Sequence, residues 1–223
     1  MKRNRRKQRF SKISFTLLGI VCLVLLSTTA VDAYRDYSSP EPDELRKRLN
    51  YLQQAISADE HASIGYMGHE GTLFSLSYTA LALSNINQSQ PSLAQEYHDL
   101  AALIVQKIQS ETLKDRFGVY TDSSIAQASV LYAAHLNFAL SAAKTLKALN
   151  DPSAWLHHTL NRQLHQAFAR SKYGVLTSYP ESIWIPDNVA GLASMRIYED
   201  AWGLNHDSLI DTTFQLLVKN YVE

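Results

Sequence analysis

Two kinds of helical segment alternate along this chain, and their alternation restricts the possible folds more than any other feature. In the first kind, apolar residues recur at helical spacing on one face, which is typical of a helix at the outside of a packed structure. The three clearest stripes are Leu45, Leu49, Leu52, Ile56; Leu93, Tyr97, Leu100, Ile104, Ile108; and Leu156, Leu160, Leu164, Phe168. The second kind is apolar on nearly all sides and predicts a buried helix. It covers residues 72–86, 125–149 and 188–198.

Helix boundaries and a repeated loop complete this pattern. Asp151-Pro152 is typical of a helix start, and the sequence has little strand-like alternation. The predicted order is outer, inner, outer, inner, outer, inner, outer, ending with an amphipathic segment at 207–221. The stretches FGVYT at 117–121 and YGVLT at 173–177 lie 56 residues apart, each between an outer and an inner helix. We therefore predict an all-α fold of about three and a half helical hairpins in a solenoid or ring.

The amino-terminal residues predict a membrane anchor. Residues 1–12 contain seven Lys or Arg and no acid, and residues 13–31 are uncharged and mostly apolar. As a helix, residues 13–31 extend for roughly 28 Å, which is enough to cross a bilayer core. The basic end stays in the cytoplasm, and a tether at 32–43 leads to an exported domain at 44–223. The alternative is a signal peptide cleaved after Ala33, which leaves a secreted domain.

The charge of the exported part argues against nucleic acid as a partner. The chain has 21 basic and 21 acidic residues, but seven basic residues lie in the leader. From Tyr34 onward, 14 basic and 20 acidic residues leave a net charge of −6. A nucleic-acid-binding domain has the opposite sign. Topology and anionic lipid explain the basic leader, so the membrane is the predicted partner there.

Several kinds of chemistry are excluded or unsupported by the sequence. Cys22 is the only cysteine and lies in the apolar leader, so the exported part has no disulfide, thiol nucleophile or Cys-ligated zinc. His61, His69 and Glu70 form no recognised metal-binding pattern, and we predict no metal. There is no phosphate-binding loop, dinucleotide fingerprint or Gly-x-Ser-x-Gly motif, and we predict no cofactor.

Three groups of residues resemble a known family. They are EGTLF at 70–74 before an apolar helix, HLNF at 135–138, and YPE at 179–181 followed by PDN at 186–188. Together they are similar to bacterial α/α-toroid proteins, near the six-hairpin glycosidases and the linalool dehydratase/isomerase-like domains. The resemblance covers residues 70–202 and corresponds to the amino-terminal part of a toroid. It implies a ring of inner helices whose preceding loops line an active cavity, and a bacterial inner-membrane location with the carboxy-terminal domain facing the periplasm or exterior.

This architecture gathers the loops at 66–70, 120–124 and 179–188 at one mouth. Acids beside aromatic rings suit sugar chemistry, because one carboxyl protonates the leaving oxygen while another activates water or attacks. The predicted catalytic residues are Asp187, Glu181 and Glu70. The predicted substrate-binding residues are Tyr66, His69, Asp122, Tyr179, Trp184 and Asn188.

Several of these residues also have a purely structural interpretation. Asp187 is a possible helix N-cap, and Glu70 favours a helix dipole. Glu181 is a possible solvated turn residue, and Tyr179 and Trp184 are possible packing residues of the loop. His135 lies in an apolar helix and is predicted to be a core histidine.

Three functions follow from these patterns. The first is binding or cleavage of a glycan by a membrane-anchored exported domain. The second is a non-catalytic helical-repeat scaffold of the cell envelope, and the third is dehydratase/isomerase-like chemistry on a small alcohol. An open edge is expected at the last inner helix, which leaves Val189, Leu192, Met195 or Ile197 partly uncovered. The predicted consequence is self-association or a partner that completes the ring.

Overall fold

The computed structural model describes residues 42–60 and 69–221, excluding the side chain of His69, and these residues are helical without any β-strand. The prediction of an all-α fold is therefore confirmed. The described helices are α1 (Pro42–Ser57), α2 (His69–Ser89), α3 (Pro91–Gln95), α4 (His98–Ile108), α5 (Glu111–Arg116), α6 (Ile125–Ala128), α7 (Val130–Thr145), α8 (Asp151–Arg170), α9 (Ile185–Trp202) and α10 (Ser208–Tyr221).

The chain divides into two units, Met1–Arg48 and Leu49–Glu223. In the first unit the structure describes the beginning of α1, which starts at Pro42, two residues before the predicted domain boundary. Two ion pairs within this helix, Arg46–Asp43 at 3.3 Å and Arg48–Glu44 at 3.1 Å, are exposed and add little stability. The predicted anchor at 13–31 and most of the tether at 32–43 lie outside the described residues. None of the helices within the described ranges has the length and apolar character needed to cross a bilayer.

Helix α7 is the centre of the second unit. It packs most extensively against α9 and α2, and also against α4 and α8. Every residue from Val130 to Ala143 is buried. The predicted inner segments thus lie side by side as α2, α7 and α9, with the amphipathic helices α4, α8 and α10 packed against them. A helix without a polar face is stable here because neighbours cover it on all sides.

Four polar side chains of α7 each bond to a different neighbouring helix. His135 Nδ1 lies 2.6 Å from Ser77 Oγ of α2, and Tyr132 Oη donates to the carbonyl of Ile108, the last residue of α4, at 2.8 Å. Asn137 Nδ2 donates to Ser194 Oγ of α9 at 3.2 Å, and Ser141 Oγ lies 3.1 Å from His157 Nε2 of α8. Buried polar groups are costly without partners, so these bonds specify the register of the four contacts.

The inner segment predicted at 125–149 is not one helix. It is interrupted at Ser129, whose extended backbone (φ −157°, ψ 113°) separates α6 from α7. The Ser129 hydroxyl accepts a hydrogen bond from Tyr132 N at 3.1 Å, as an N-cap, and donates to Ser178 O at 2.6 Å. The interruption therefore results from a tertiary contact, which local sequence pattern does not show.

The repeated aromatic-Gly-Val stretch has a local structural explanation in its first copy. Gly118 has φ +69° and follows Phe117, the C-cap of α5. Val119 N donates to Lys114 O at 3.0 Å and Gly118 N donates to Asp115 O at 3.1 Å. This is the Schellman arrangement, in which glycine takes the left-handed position and an apolar residue follows. In the second copy, Gly174 also has a positive φ, of +74°.

Close approach of α9 to α7 and α8 requires Gly191. A Cβ atom at this position would lie 2.8 Å from Val130 Cγ2 and 3.2 Å from Phe168 Cζ. Of the four residues named as candidates for an uncovered edge on α9, Leu192 and Met195 are buried. Val189 is 39% exposed and Ile197 is partly buried. Leu192 and Met195 lie on the face of α9 that its neighbours cover, whereas Val189 lies outside that face.

Candidate functional site

The loop between α8 and α9 is held rigidly although it has no regular structure. Ser171 Oγ donates to Val175 O at 2.8 Å and accepts from Val175 N at 2.9 Å. Asn188, which is fully buried, accepts from Leu176 N at 2.6 Å and donates to Leu176 O at 3.1 Å and Trp184 O at 2.9 Å. Asn188 was predicted to bind substrate, but its side-chain amide forms hydrogen bonds with the backbone of this loop.

A second set of bonds fixes the same loop to the start of α7. Val130 N donates to Thr177 O at 2.8 Å, and Ser129 Oγ donates to Ser178 O. Trp184 N donates to Ser178 Oγ at 3.0 Å. The beginnings of α7 and α9 therefore share one anchored segment, and side chains at these helix starts occupy defined positions.

Residues Tyr179 to Ser182 form a tight turn at the tip of the loop. Ser182 N donates to Tyr179 O at 3.0 Å, Pro180 occupies the second position, and Glu181 has φ +65°. Proline followed by a residue with positive φ is the type II turn pattern, which usually has Gly or Asn at the third position. Glu181 is exposed. Glu181 was predicted to be catalytic, with a solvated turn residue as the alternative. Its position in the structure corresponds to the turn residue.

Beside this turn a phenol bonds to one carboxylate, and a second carboxylate lies within electrostatic range of both. Tyr179 Oη donates a hydrogen bond to Glu70 Oε1, which joins the loop before α9 to the first turn of α2. Asp187 lies in the first turn of α9. All three side chains are partly buried. We call Glu70, Tyr179 and Asp187 the carboxylate–tyrosine cluster.

The electrostatics of the carboxylate–tyrosine cluster couple its members. Burial raises the pKa of Asp187, the charge of Glu70 raises it further, and a hydrogen bond from Ser178 acts in the opposite direction. Burial also raises the pKa of Tyr179, as do its hydrogen bond to Glu70 and the charges of Glu70 and Asp187. Asp187 therefore holds a proton more readily than an ordinary aspartate.

Asp187 is not the N-cap of its helix. Helix α9 begins at Ile185, and the capping position belongs to Trp184, which makes no side-chain capping bond. The proline that suggested a later start lies inside the first turn, where its missing N–H is tolerated. An acid in the first turn still interacts favourably with the helix dipole. Similarly, Asn150 rather than Asp151 caps α8, through a bond from Ser153 N at 2.9 Å.

Aromatic side chains occur on the segments that carry this cluster or contact it. The rings of Phe117 and Tyr179 lie 6.1 Å apart, and Trp184 is 59% exposed beside the first turn of α9. Tyr120 is 79% exposed on the loop that follows Phe117. Each exposed ring presents a large, flat apolar surface to solvent.

The other predicted site residues lie elsewhere or outside the described part. Asp122 pairs with Lys114 Nζ at 2.6 Å, and its carbonyl accepts from Gln163 Nε2 at 2.6 Å, so it connects its loop to α5 and α8. Tyr66 is outside the described residues. His69 begins α2, but its side chain is outside the described part. Within the described ranges no three His, Cys, Asp or Glu side chains are grouped as metal ligands.

Sequence reasoning missed a second polar cluster, at the other ends of α7 and α9. Trp202 Nε1 donates to His157 Nδ1 at 3.1 Å, so Nε2 of this buried neutral histidine carries the proton and donates to Ser141. His158 Nδ1 lies 2.7 Å from Tyr198 Oη, and its ring centroid lies 4.1 Å from that of Trp202. The sequence does contain a signal for this cluster. Two histidines are adjacent, and Tyr198 and Trp202 are spaced to share one face of a helix.

A comparison of the chain with family models, curated proteins and solved structures found no match. The resemblance to α/α-toroid proteins therefore stays a prediction.

Proposed function

We propose that the protein binds and cleaves a glycan at the carboxylate–tyrosine cluster. The observation that supports this proposal is the hydrogen bond from Tyr179 to Glu70 of α2, with Asp187 of α9 near enough for the charge of Glu70 to raise its pKa. Asp187, whose pKa is raised, is the general acid that protonates the leaving oxygen. Glu70, which accepts the hydrogen bond from Tyr179, is the base or nucleophile. Trp184 supplies an exposed ring for stacking.

The fold family and the cellular location that we propose are those predicted from the sequence. The adjacent starts of α2, α7 and α9 belong to an α/α-toroid, and the basic leader anchors the domain in a bacterial inner membrane with the glycan site outside the cytoplasm. Association with a second copy or with a partner that completes the ring is part of the same proposal.

Ligand-induced stabilisation tests the glycan proposal. The full chain in a non-ionic detergent is melted with and without chitohexaose, cellohexaose or hexagalacturonate, because a ligand that binds only the native state raises its stability. We expect one of these sugars to raise Tm in a concentration-dependent manner. Unchanged melting with all three, together with no reducing ends released from the polymeric forms, contradicts the proposal.

A matched pair of variants then tests the assigned residues. Asp187→Asn removes the charge from the first turn of α9, and Asp151→Asn makes the same change in the first turn of α8. We expect Asp187→Asn to abolish cleavage and Asp151→Asn to retain it, with similar small changes in Tm. Equal activity of the two variants contradicts the role of Asp187.

The scaffold function is a second candidate, supported by exposed aromatic residues on the outer helices. Trp155 of α8 is 63% exposed and Phe214 of α10 is 42% exposed. Such residues are typical of interaction surfaces. A scaffold ignores sugars in the melting experiment, and substitution of both aromatics by serine releases its partner. Dehydratase/isomerase-like chemistry on a small alcohol stays a prediction of the resemblance alone.

A further inference from the structure

A surface pocket of about 340 Å³ lies between α6, the end of α8 and the loop before α9. Its apolar lining consists of Ala126, Ala167, Val175, Leu176 and Ile183. The volume is at the small end of the range for small-molecule sites, roughly 300–1,000 Å³. The pocket is separate from the carboxylate–tyrosine cluster, none of whose residues line it.

The wall of this pocket is fixed before any ligand arrives. Val175 is bonded through both its N–H and its carbonyl to Ser171 Oγ, and Leu176 is bonded through both groups to Asn188. Thr177 O accepts from Val130 N. A rigid wall lowers the ordering cost of binding, so even a small ligand gains useful affinity. Ile183, in contrast, is 56% exposed at the rim, which leaves apolar surface open to water.

Arg170 is the one ionisable side chain among the residues that line the pocket. It is exposed in the last turn of α8, and it makes no hydrogen bond or ion pair with any residue in ranges 42–60 and 69–221. The arginine of α9 differs in this respect, because Arg196 pairs with Glu199 and Asp211, each at 2.9 Å. The guanidinium of Arg170 is therefore available for an anion, and its planar fork matches a carboxylate.

We propose that this pocket binds a small organic carboxylate with a short hydrocarbon body. The carboxylate forms a paired hydrogen bond with Arg170, and the hydrocarbon body covers Ala167, Val175 and Ile183. The inference goes beyond the glycan function and does not depend on it. The apolar lining distinguishes the site from a surface that merely attracts anions, and the small volume favours a short chain over a lipid.

Calorimetric titration of the full chain in a non-ionic detergent with three probes separates the requirement for a negative charge from the requirement for a hydrocarbon body. Hexanoate has both the charge and the body, hexanamide has the body alone, and inorganic phosphate has the charge alone. We expect hexanoate to bind and the other two to bind at least about tenfold more weakly, a difference of about 1.4 kcal/mol. The proposal is overturned if hexanoate at about 10 mM gives no binding, or if either other probe equals it.

Variants of α8 locate the binding. Arg170→Gln should weaken hexanoate binding by about tenfold or more, because it removes the charge-assisted pair. Arg162→Gln is the matched control, since Arg162 is exposed on the same helix and does not line the pocket, and should bind as the unaltered protein does. Ala167→Leu fills the pocket and should also weaken binding. A smaller loss with Arg170→Gln, or unaltered affinity with Ala167→Leu, overturns the assignment.

Discussion

Two buried histidines contribute to the response of this protein to acid. Burial lowers the pKa of His135 to about 4. Burial, followed by the charges of His158 and Lys144, lowers the pKa of His157 to about 3. Both rings are neutral hydrogen-bonding groups in the core, His135 with Ser77 and His157 with Ser141 and Trp202. Protonation of either would place an unpaired charge in the interior.

The first prediction is a loss of stability in mild acid. In the unfolded chain a histidine has a pKa of about 6.5, so below this value the unfolded state binds more protons than the folded state. The stabilising contribution is full above about pH 6.5 and falls as the pH decreases toward the folded pKa values. Each histidine should contribute a loss of about 2 kcal/mol between pH 7.5 and pH 5. Urea unfolding of the full chain at both pH values measures it.

Single variants attribute this acid effect to the two rings. His135→Gln and His157→Gln cannot titrate, and each should reduce the loss between pH 7.5 and pH 5. His206→Gln is the control, because this histidine is exposed and pairs with Asp200 at 2.9 Å. An acid-induced loss that is the same in all three variants and in the unaltered protein would refute the assignment.

The second prediction concerns the strained residue of the loop. A left-handed backbone costs a non-glycine residue roughly 1–2 kcal/mol, and Glu181 has this conformation at φ +65°. Glu181→Gly should therefore raise stability by up to about 1 kcal/mol, after the entropy cost of glycine in the unfolded chain. The glycan proposal predicts that cleavage persists, since the carboxylate–tyrosine cluster excludes Glu181. Lost cleavage with unaltered stability would return Glu181 to the catalytic residues.

At the level of helices and loops, the structure is held by contacts between element ends. The sequence predicted α2, α7 and α9 as inner helices because they lack a continuous polar face. It could not predict the interruption at Ser129, since the bond to Ser178 O joins residues distant in sequence. The same limit applies to the site: Glu70, Tyr179 and Asp187 were identified as chemical candidates, whereas the structural use of Asn188 depends on the path of the folded loop.

The third prediction is that Ser129→Ala destabilises the start of α7. The variant loses the N-cap bond to Tyr132 N and leaves the buried carbonyl of Ser178 without this donor. We expect a loss of about 1–3 kcal/mol in the free energy of unfolding. Ser110→Ala is the control, because Ser110 occupies the N-cap position of α5 without a side-chain capping bond. Equal losses in the two variants would contradict the prediction.

The fourth prediction concerns the contact between α9 and its neighbours. Alanine favours a helix more than glycine does, yet Gly191→Ala places a methyl group 2.8 Å from Val130 Cγ2. We expect overpacking to cost about 1–3 kcal/mol, measured by urea unfolding. Ala193→Gly, at an exposed position of α9, measures the ordinary difference in helix propensity between alanine and glycine, about 1 kcal/mol. A stabilised Gly191→Ala variant would show that α9 can move away without cost.

In the second unit as a whole, stability is concentrated at α7. This helix is covered on all sides by α2, α4, α8 and α9, whereas α10 packs mainly against α9 and α8 and has many exposed residues. Local opening has a low free energy where few apolar contacts are broken, and it approaches the global value in a fully covered core helix.

The fifth prediction follows from this uneven coverage. In hydrogen exchange of the full chain, the amides of α7 should exchange only through global unfolding. The amides of α10 should exchange earlier, through local opening. Mass spectrometry of peptides from 130–145 and 208–221 compares the two helices under the same conditions. Faster exchange in α7 than in α10 would contradict the central position of α7 in the stability of this unit.

The hydrogen bonds of α7 also constrain how this protein can change during evolution. His135 depends on Ser77, Asn137 on Ser194 and Ser141 on His157, so three pairs of distant positions share one buried bond each. A substitution on one side leaves a polar group in the core without its partner, and the second position must then change as well. Among relatives that keep this packing, positions 77 and 135, 137 and 194, and 141 and 157 are expected to vary together. Such paired variation would allow distant relatives to be recognised even after the apolar residues between them have diverged.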